Sequence, residues 1–327
     1  MITNLEVTNF KSIKTIKLNC NQYNIFIGEP NSGKSNILEV LGLLSAFGRS
    51  NNLKDFIRFK TMPNLFYDEL IDSSIKIQVN HFPLKLSYEF DSFVFEYVNG
   101  NIKKGFDHNG NYIGGSSTSS KEVTELSNLC NQVKLFRFKD LSSFKGGNPK
   151  SLMPPHGDNL FSVVYSNKKF REIMKDFIKS FKFDLVFRPQ EHTFELQKQV
   201  EDIIISYPYI LASDTVKTIL FYLFAIISNN NSTLIFEEPE AHAFPYYTKF
   251  IAEKISIERS NQYFIVTHNP YFLASILEKA PKDLINVYIT YFEDYQTKVK
   301  LLEENQIKRI LDNDIDPFFD IKSLYEE

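Results

Sequence analysis

Cysteine is scarce in this chain of 327 residues: Cys20 and Cys130 stand alone, with no CxxC or Cys/His spacing around either. That argues against a disulfide framework or a structural zinc site and suits a reducing cytoplasm. An excess of one charge is missing too. Lys and Arg total 37 against 40 Asp and Glu, a net charge of -3, so no global positive field draws the chain to nucleic acid or an anionic membrane. Any such contact needs a local patch. Long apolar runs are absent: "TILFYLFAII" is roughly half of the ~20 residues a membrane span needs. The opening "MITNLEVTNFKSIK" has no apolar signal-peptide core, and neither internal repeats nor long heptad arrays occur. The expectation is a cytoplasmic protein with no membrane contact. With 43% hydrophobic residues, the chain can bury a full core as one large domain or two intimate lobes.

Hydrophobic periodicity supplies the elements. "ITNLEV" and "KTIKLN" read as short strands, "YNIFIG" as a buried strand ending in glycine, and a helix follows from Lys34 to about Phe47. Between 74 and 106, "SIKIQV", "LKLSYEF", "FVFEYV" and "IKKGF" keep period two and are separated by Pro83, Asp91 and the Asn99/Gly100 pair, which predicts an antiparallel β lobe. "GGSSTSSK" and "FKGGNPKSLMPPHGDN" mark loops; between and after them come a helix, a strand "VKLFRF" and the helical segment "NKKFREIMKDFIKSFKFD". In that segment Phe170, Ile173, Met174, Phe177, Ile178 and Phe181 form an apolar stripe, with Arg171, Lys175, Lys179 and Lys182 on another face. A solvated face is the ordinary outcome for such a stripe of cations, and a nucleic-acid contact is the sharper one.

The last third alternates helix 213–228, strand "STLIFE", helix 244–257, strand "QYFIVTH" and a helix to about 277. A hairpin, "INVYIT" with "KVKLLE", and a short acidic helix close the chain. Strands that are apolar almost throughout, alternating with helices, predict an α/β fold with a mostly parallel sheet flanked by helices. The expected division is an N-terminal lobe at 1–110, a helical or mixed insertion at 111–205 and a C-terminal lobe at 206–327.

Gly28-Glu29-Pro30-Asn31-Ser32-Gly33-Lys34-Ser35 fits GxxxxGK[ST] between a buried strand and a helix N-terminus, where a P-loop belongs. Glycines let backbone N–H groups turn toward phosphates, the helix dipole adds positive charge, Lys34 reaches the β and γ oxygens and the Ser35 hydroxyl ligates Mg2+. The residues expected to line the nucleotide here are Gly28, Asn31, Ser32, Gly33, Lys34, Ser35 and Asn36. Such a loop needs an acid on a neighbouring strand, and "IFEEPEAHAFP" offers three glutamates. Glu237, at the strand end, is expected to hold the metal, and Glu238 to orient and deprotonate the attacking water. Glu240 and His242 begin a loop that can face a partner. His268 ends the next strand in "IVTHNP", placed to hydrogen-bond the γ-phosphate.

Taken together, "LEVTNFKSIKTIKL", "NIFIGEPNSGKSNILEVLGLL", "LMPPHGDNLFSVV", "FEEPEAHAFP" and "VTHNPYFLAS" resemble a compact ABC-type ATPase head of the RecF, SMC-like and OLD-family group. The resemblance covers both ends of the chain and matches 100 to 200 weakly. It implies a P-loop NTPase of ABC-ATPase type that uses ATP and Mg2+ and closes face to face with a second copy when ATP is bound. It also places Lys11, in "NFKS", near the nucleotide, and Ser213, in "LASDTVKTILFYL", as the signature serine that reaches a partner's γ-phosphate. Thr215 stands where that signature carries glycine, and the cradle reads "GEPNSGKS" where relatives usually have "GPNGSGKS". Gln78 matches a metal-sensing glutamine only loosely, and a plain strand explains it better. The setting implied is DNA maintenance or defence against foreign genetic elements, as a homodimer or higher oligomer, with a separate effector and DNA as possible partners. A slow, ATP-gated module that recruits an effector is the alternative. A transporter ATPase lacks its LSGGQ-like signature here, and a nuclease gripping metal with Glu237 and Glu238 is disfavoured because neighbouring strand positions face opposite ways.

Overall fold

The computed structural model describes residues 1–49, 52–97, 102–241, 243–312 and 314–326. Two compact units are formed, one from Met1–Leu135, Asn231–Glu238 and Gln262–Glu327, the other from Phe136–Asn230 and Pro239–Asn261.

The first unit begins with β1 (Asn4–Phe10) and β2 (Ile13–Asn19), an antiparallel pair with Leu5 opposite Leu18 and Val7 opposite Ile16. After them come β3 (Tyr23–Gly28), buried along its whole length, and α1 (Lys34–Phe47). The strands β4 (Ile75–Val79), β5 (Phe82–Glu89), β6 (Ser92–Tyr97), β7 (Ile102–Phe106) and β8 (Tyr112–Ser116) then lead to α2 (Lys121–Gln132) and β9 (Val133–Phe136). The Asn99/Gly100 turn lies outside the described residues; on either side of it β6 and β7 pair antiparallel, Tyr97 opposite Ile102. The meander is antiparallel throughout, as the alternation predicts. Leu5 pairs with Val79 and Val7 with Ile77, so the opening hairpin and the meander form one sheet in the order β2-β1-β4-β5-β6-β7-β8.

The second unit contains α3 (Leu160–Ser166), α4 (Lys168–Lys179), a three-stranded antiparallel sheet of β10 (Asp184–Arg188), β11 (Thr193–Val200) and β12 (Ile203–Pro208), and α5 (Asp214–Ile227). Aromatic residues fill its interior: Phe194 lies 5.4 Å from Phe144 and 5.2 Å from Phe161, ring to ring. The apolar stripe of α4 is absorbed there too, with Phe170 against Phe224 at 5.7 Å. Lys175 and Lys179 of α4 and Lys182 just beyond it are exposed, while Arg171 is half-buried and donates to Tyr165 O.

The chain continues through β13 (Thr233–Glu237) of the first unit, α6 (Pro245–Ile257) of the second, and β14 (Gln262–Val266), α7 (Pro270–Lys279), β15 (Ile285–Glu293), β16 (Gln296–Leu301), α8 (Glu304–Leu311) and α9 (Ile321–Glu326) of the first. A second sheet runs β16-β15-β3-β14-β13-β9, with β15, β3, β14 and β13 mutually parallel. Helix α1 touches β13 and β14 of this sheet and β1 of the other. That position explains why it is buried on nearly every side instead of along one stripe.

Both cysteines are free, and burial pushes their thiols up to about 12, which leaves them unreactive. Among the described residues no helix is long and apolar enough to cross a membrane.

Candidate functional site

The parallel register brings three strand ends together. Val266 of β14 is paired with Phe26 of β3 on one side and Glu237 of β13 on the other. Residues just beyond these pairs, Gly28 to Gly33, Glu238 and His268, therefore emerge along one carboxyl edge of the sheet, the usual ligand edge of α/β folds. Gly33 caps α1 with φ 95°, a conformation that disfavours a side chain, and a Cβ there would fall 1.9 Å from Thr297 Oγ1. Asn31 is left-handed as well, at φ 61°.

Lys34 is 5% exposed and folds back over its own loop. Its Nζ donates to Gly28 O at 2.8 Å, Glu29 O at 2.7 Å and Ser32 Oγ at 3.4 Å. The Ser32 N–H is also engaged, donating to Glu29 O at 3.3 Å. Burial pulls the ammonium down to about 8, against the opposing influence of Glu238 and Glu29. Glu238 thus stands within electrostatic reach of Lys34.

The sign of that shift sets a pH test. A polyanion favours the charged lysine, which is already formed below about pH 8 and must take up a proton above it. Affinity for ATP is expected to be level from about pH 7 to 8 and to fall above that by up to about tenfold per unit. Calorimetry in buffers of different ionisation enthalpy should register the proton uptake at the alkaline end. An affinity that stays level across the whole range would separate Lys34 from the phosphates.

Glu238 adopts φ 47°, with its N–H donating to Val266 O at 2.9 Å, so the backbone leaves the strand abruptly after Glu237. Such left-handed geometry is uncommon for a residue with a side chain and clusters at functional sites. The Glu238 carboxylate is 46% exposed and lies 3.6 Å from His268 Nε2. Burial and then Lys34 push the His268 imidazole below its ordinary range, outweighing Glu238. It is neutral near pH 7.

Glu237 carries an ion pair that sequence patterns did not disclose. Arg58 Nη2 donates to Glu237 Oε1 at 2.9 Å, and Arg58 Nε donates to Glu39 Oε1 at 2.7 Å. Glu39 is a carboxylate of α1 only 1% exposed, and it also receives Lys11 Nζ. Lys11, expected near the nucleotide, is thus engaged with Glu39 and with Arg58 O, the latter at 2.6 Å. A lone acid within the apolar run "NILEVLGLL" is the one signal that could have found Glu39.

The remaining candidates are more dispersed. Asn36 donates through Nδ2 to Ser12 Oγ at 2.7 Å, and Ser12 in turn meets Thr297 Oγ1 at 2.6 Å, tying the first turn of α1 to the β1–β2 turn and to β16. Gln78 is a strand residue of β4 whose amide donates to Asn80 O at 2.9 Å, in keeping with the plain-strand reading. Ser213 lies in the second unit as the N-cap of α5, its Oγ accepting from Val216 N at 3.4 Å. In that same unit Lys217 is buried between Asp140 at 2.6 Å and Asp214 at 3.1 Å, which pins the first turn of α5. Glu240 is buried, contrary to the expectation that it faces a partner, and His242 lies outside the described residues. Among the described residues, no group of three or more His, Cys, Asp or Glu is arranged to hold a metal by itself.

The chain is similar to solved structures at low identity. An SMC head bound to the C-winged helix domain of ScpA superposes with a TM-score of 0.50 at 14% identity, over 94% of this chain and 99% of that one. An SMC head domain from Thermotoga maritima gives 0.46 at 12% identity, over 92% and 99%. The likeness to the first of these is one of fold: the chain has the architecture of an SMC head. No protein-family model and no curated protein matches the chain.

Proposed function

We propose that the chain is an ABC-type head that binds and hydrolyses ATP with Mg2+, and that ATP draws two copies together. The observation that carries this reading is the convergence of the Lys34 loop, Glu237, Glu238 and His268 at the ends of three adjacent parallel strands. The donor set suits the metal: a serine hydroxyl at Ser35 and a carboxylate at Glu237 are hard oxygen ligands of the kind Mg2+ takes beside phosphates. Bound there, Mg2+ would neutralise charge on the phosphoryl oxygens.

In this scheme Lys34 exchanges its carbonyl partners for the β- and γ-phosphate oxygens. Glu238 accepts a proton from the water that attacks the γ-phosphorus as the bond to the ADP oxygen breaks. Neutral His268 donates a hydrogen bond to a γ-oxygen. Ser213 would serve a partner copy's nucleotide, and a separate effector, DNA and a cytoplasmic role in DNA maintenance or defence against foreign genetic elements complete the proposal. The division into lobes at 1–110, 111–205 and 206–327 is kept as part of it.

A slower, ATP-gated recruiting module is the second reading. It is favoured by Thr215, the third residue of the capped segment Ser213-Asp214-Thr215, which sets a side chain where the signature carries a glycine. Phosphate release from ATP with Mg2+, measured beside nucleotide binding, decides between them. Steady release abolished by EDTA supports the hydrolase, binding without release leaves the module, and neither binding nor release removes both.

A further inference from the structure

The four residues Lys11, Glu39, Arg58 and Glu237 form one chain of ionic contacts. Its anchor is a nearly inaccessible carboxylate. Glu39 sits one helical turn beyond Ser35, roughly 6 Å along α1, so both side chains leave the same face of the helix. A buried carboxylate is stable only when its oxygens are satisfied. Glu39 Oε1 accepts from both Arg58 Nε at 2.7 Å and the Arg58 backbone N–H at 3.3 Å, while Oε2 takes Lys11. Lys11 closes the circuit on Arg58 O. Main chain and side chain of Arg58 are therefore both gripped, although the residue lies in an irregular stretch between short 3-10 turns at Leu53–Asp55 and Met62–Leu65.

The free end of that guanidinium rests on Glu237 Oε1. The carboxylate assigned to the metal is thus neutralised by an internal cation.

We propose that Arg58, held in place by Glu39 and Lys11, stands in for the divalent cation at Glu237 and must yield that oxygen before metal and nucleotide bind tightly. Glu39 is then a positioning residue, acting through Arg58. The proposal rests on the reading of Glu237 as the metal carboxylate. It makes the Mg2+ requirement of nucleotide binding a property of the ion-pair network as well as of the ligands. A state that must first break a contact has its apparent affinity reduced by the fraction that has done so. Arg58 is 56% exposed on its side chain, so the competing pair is of modest strength.

The test is the affinity of a fluorescent ATP analogue measured in EDTA and across a Mg2+ titration, for the wild type and four variants. Glu237→Gln should remove most of the Mg2+ dependence. Arg58→Ala should lower the Mg2+ concentration at half-effect by about two- to tenfold and leave the affinity in EDTA within about twofold. Arg58→Lys should recover part of the wild-type requirement, because a cation still reaches Glu237. Glu39→Gln should shift it in the same direction as Arg58→Ala, and if that variant fails to fold the Arg58 pair carries the test. An Mg2+ requirement unchanged or raised in Arg58→Ala, while Glu237→Gln abolishes it, overturns the stand-in and leaves the reading of Glu237 intact. Wild-type Mg2+ dependence in Glu237→Gln removes both.

Discussion

Replacing Lys34 should abolish detectable ATP binding while leaving the protein folded. Two or more charge-assisted hydrogen bonds to phosphate oxygens disappear with the ammonium, and at about 1.5–3 kcal/mol each the loss is at least about 100-fold in affinity. The choice of variant separates binding from stability. Lys34→Ala leaves Gly28 O and Glu29 O without their donor and opens a void beneath the loop. Lys34→Met also takes the donor from these two carbonyls, but it keeps the volume, and relief of the buried charge offsets that loss. The Lys34 value of about 8 lies below the 10.5 of a free lysine, so stability is highest above pH 10 and falls as pH drops through 8. At neutral pH the penalty for the buried charge is complete, and Lys34→Met removes it. That variant should melt no lower than the wild type in the absence of nucleotide. Differential scanning fluorimetry with and without ATP checks both halves: retained melting with no ATP-induced shift is the expected pair of results. An ATP-induced shift of wild-type size in Lys34→Met would place the triphosphate elsewhere.

The parts of the site that were legible in the sequence are those whose chemistry lies in consecutive residues. The run from Gly28 to Ser35 carries strand end, turn and helix start in one string, Glu237 closes and Glu238 follows the apolar strand β13, and His268 lies two residues past the end of β14. Their meeting is set by the sheet order, in which β14 lies between β3 and β13. Arg58 had no such context. It comes from an irregular stretch between short 3-10 turns, where neither period two nor period 3.6 operates, and its partners Glu39 and Glu237 are 19 and 179 residues away. Glu39 was hidden for a different reason, since an acid in an apolar helix normally marks the solvent side, and α1 has almost none.

Sheet membership was likewise beyond periodicity. Alternation marked "ITNLEV" and "SIKIQV" as strands, but it carries no record of which edge meets which, and the pairing of Leu5 with Val79 spans the whole nucleotide loop and α1. The strand β12 escaped notice because Ile203 and Ile204 are both apolar and both exposed, which blurs the alternation.

Changing Glu238 to Gln is expected to leave ATP binding within about threefold of wild type and to cut turnover by about 10²- to 10⁴-fold, the span for loss of a general base. The substitution is nearly isosteric, and the side chain is half exposed and outside the core, so the left-handed backbone at φ 47° and its N–H bond to Val266 O should persist. What changes is the capacity to accept a proton. A Gln amide can still contact His268 at a similar distance, and so the variant isolates acceptance of the proton from placement of the histidine. If hydrolysis is what separates two ATP-bound copies, the same variant should accumulate as a dimer with ATP and Mg2+ and return to smaller species with ADP, as sizing with in-line light scattering would show. His268 supplies an internal control through its lowered value. Below pH 6.5, acidification should progressively charge the imidazole and draw the Glu238 carboxylate into an ion pair, so wild-type turnover should decline on the acid side while binding changes less. Wild-type turnover in Glu238→Gln would remove the carboxylate from catalysis. Slow turnover with no change in size would instead keep Glu238 as the base and detach hydrolysis from assembly, because proton transfer needs only the water and the γ-phosphate of one site.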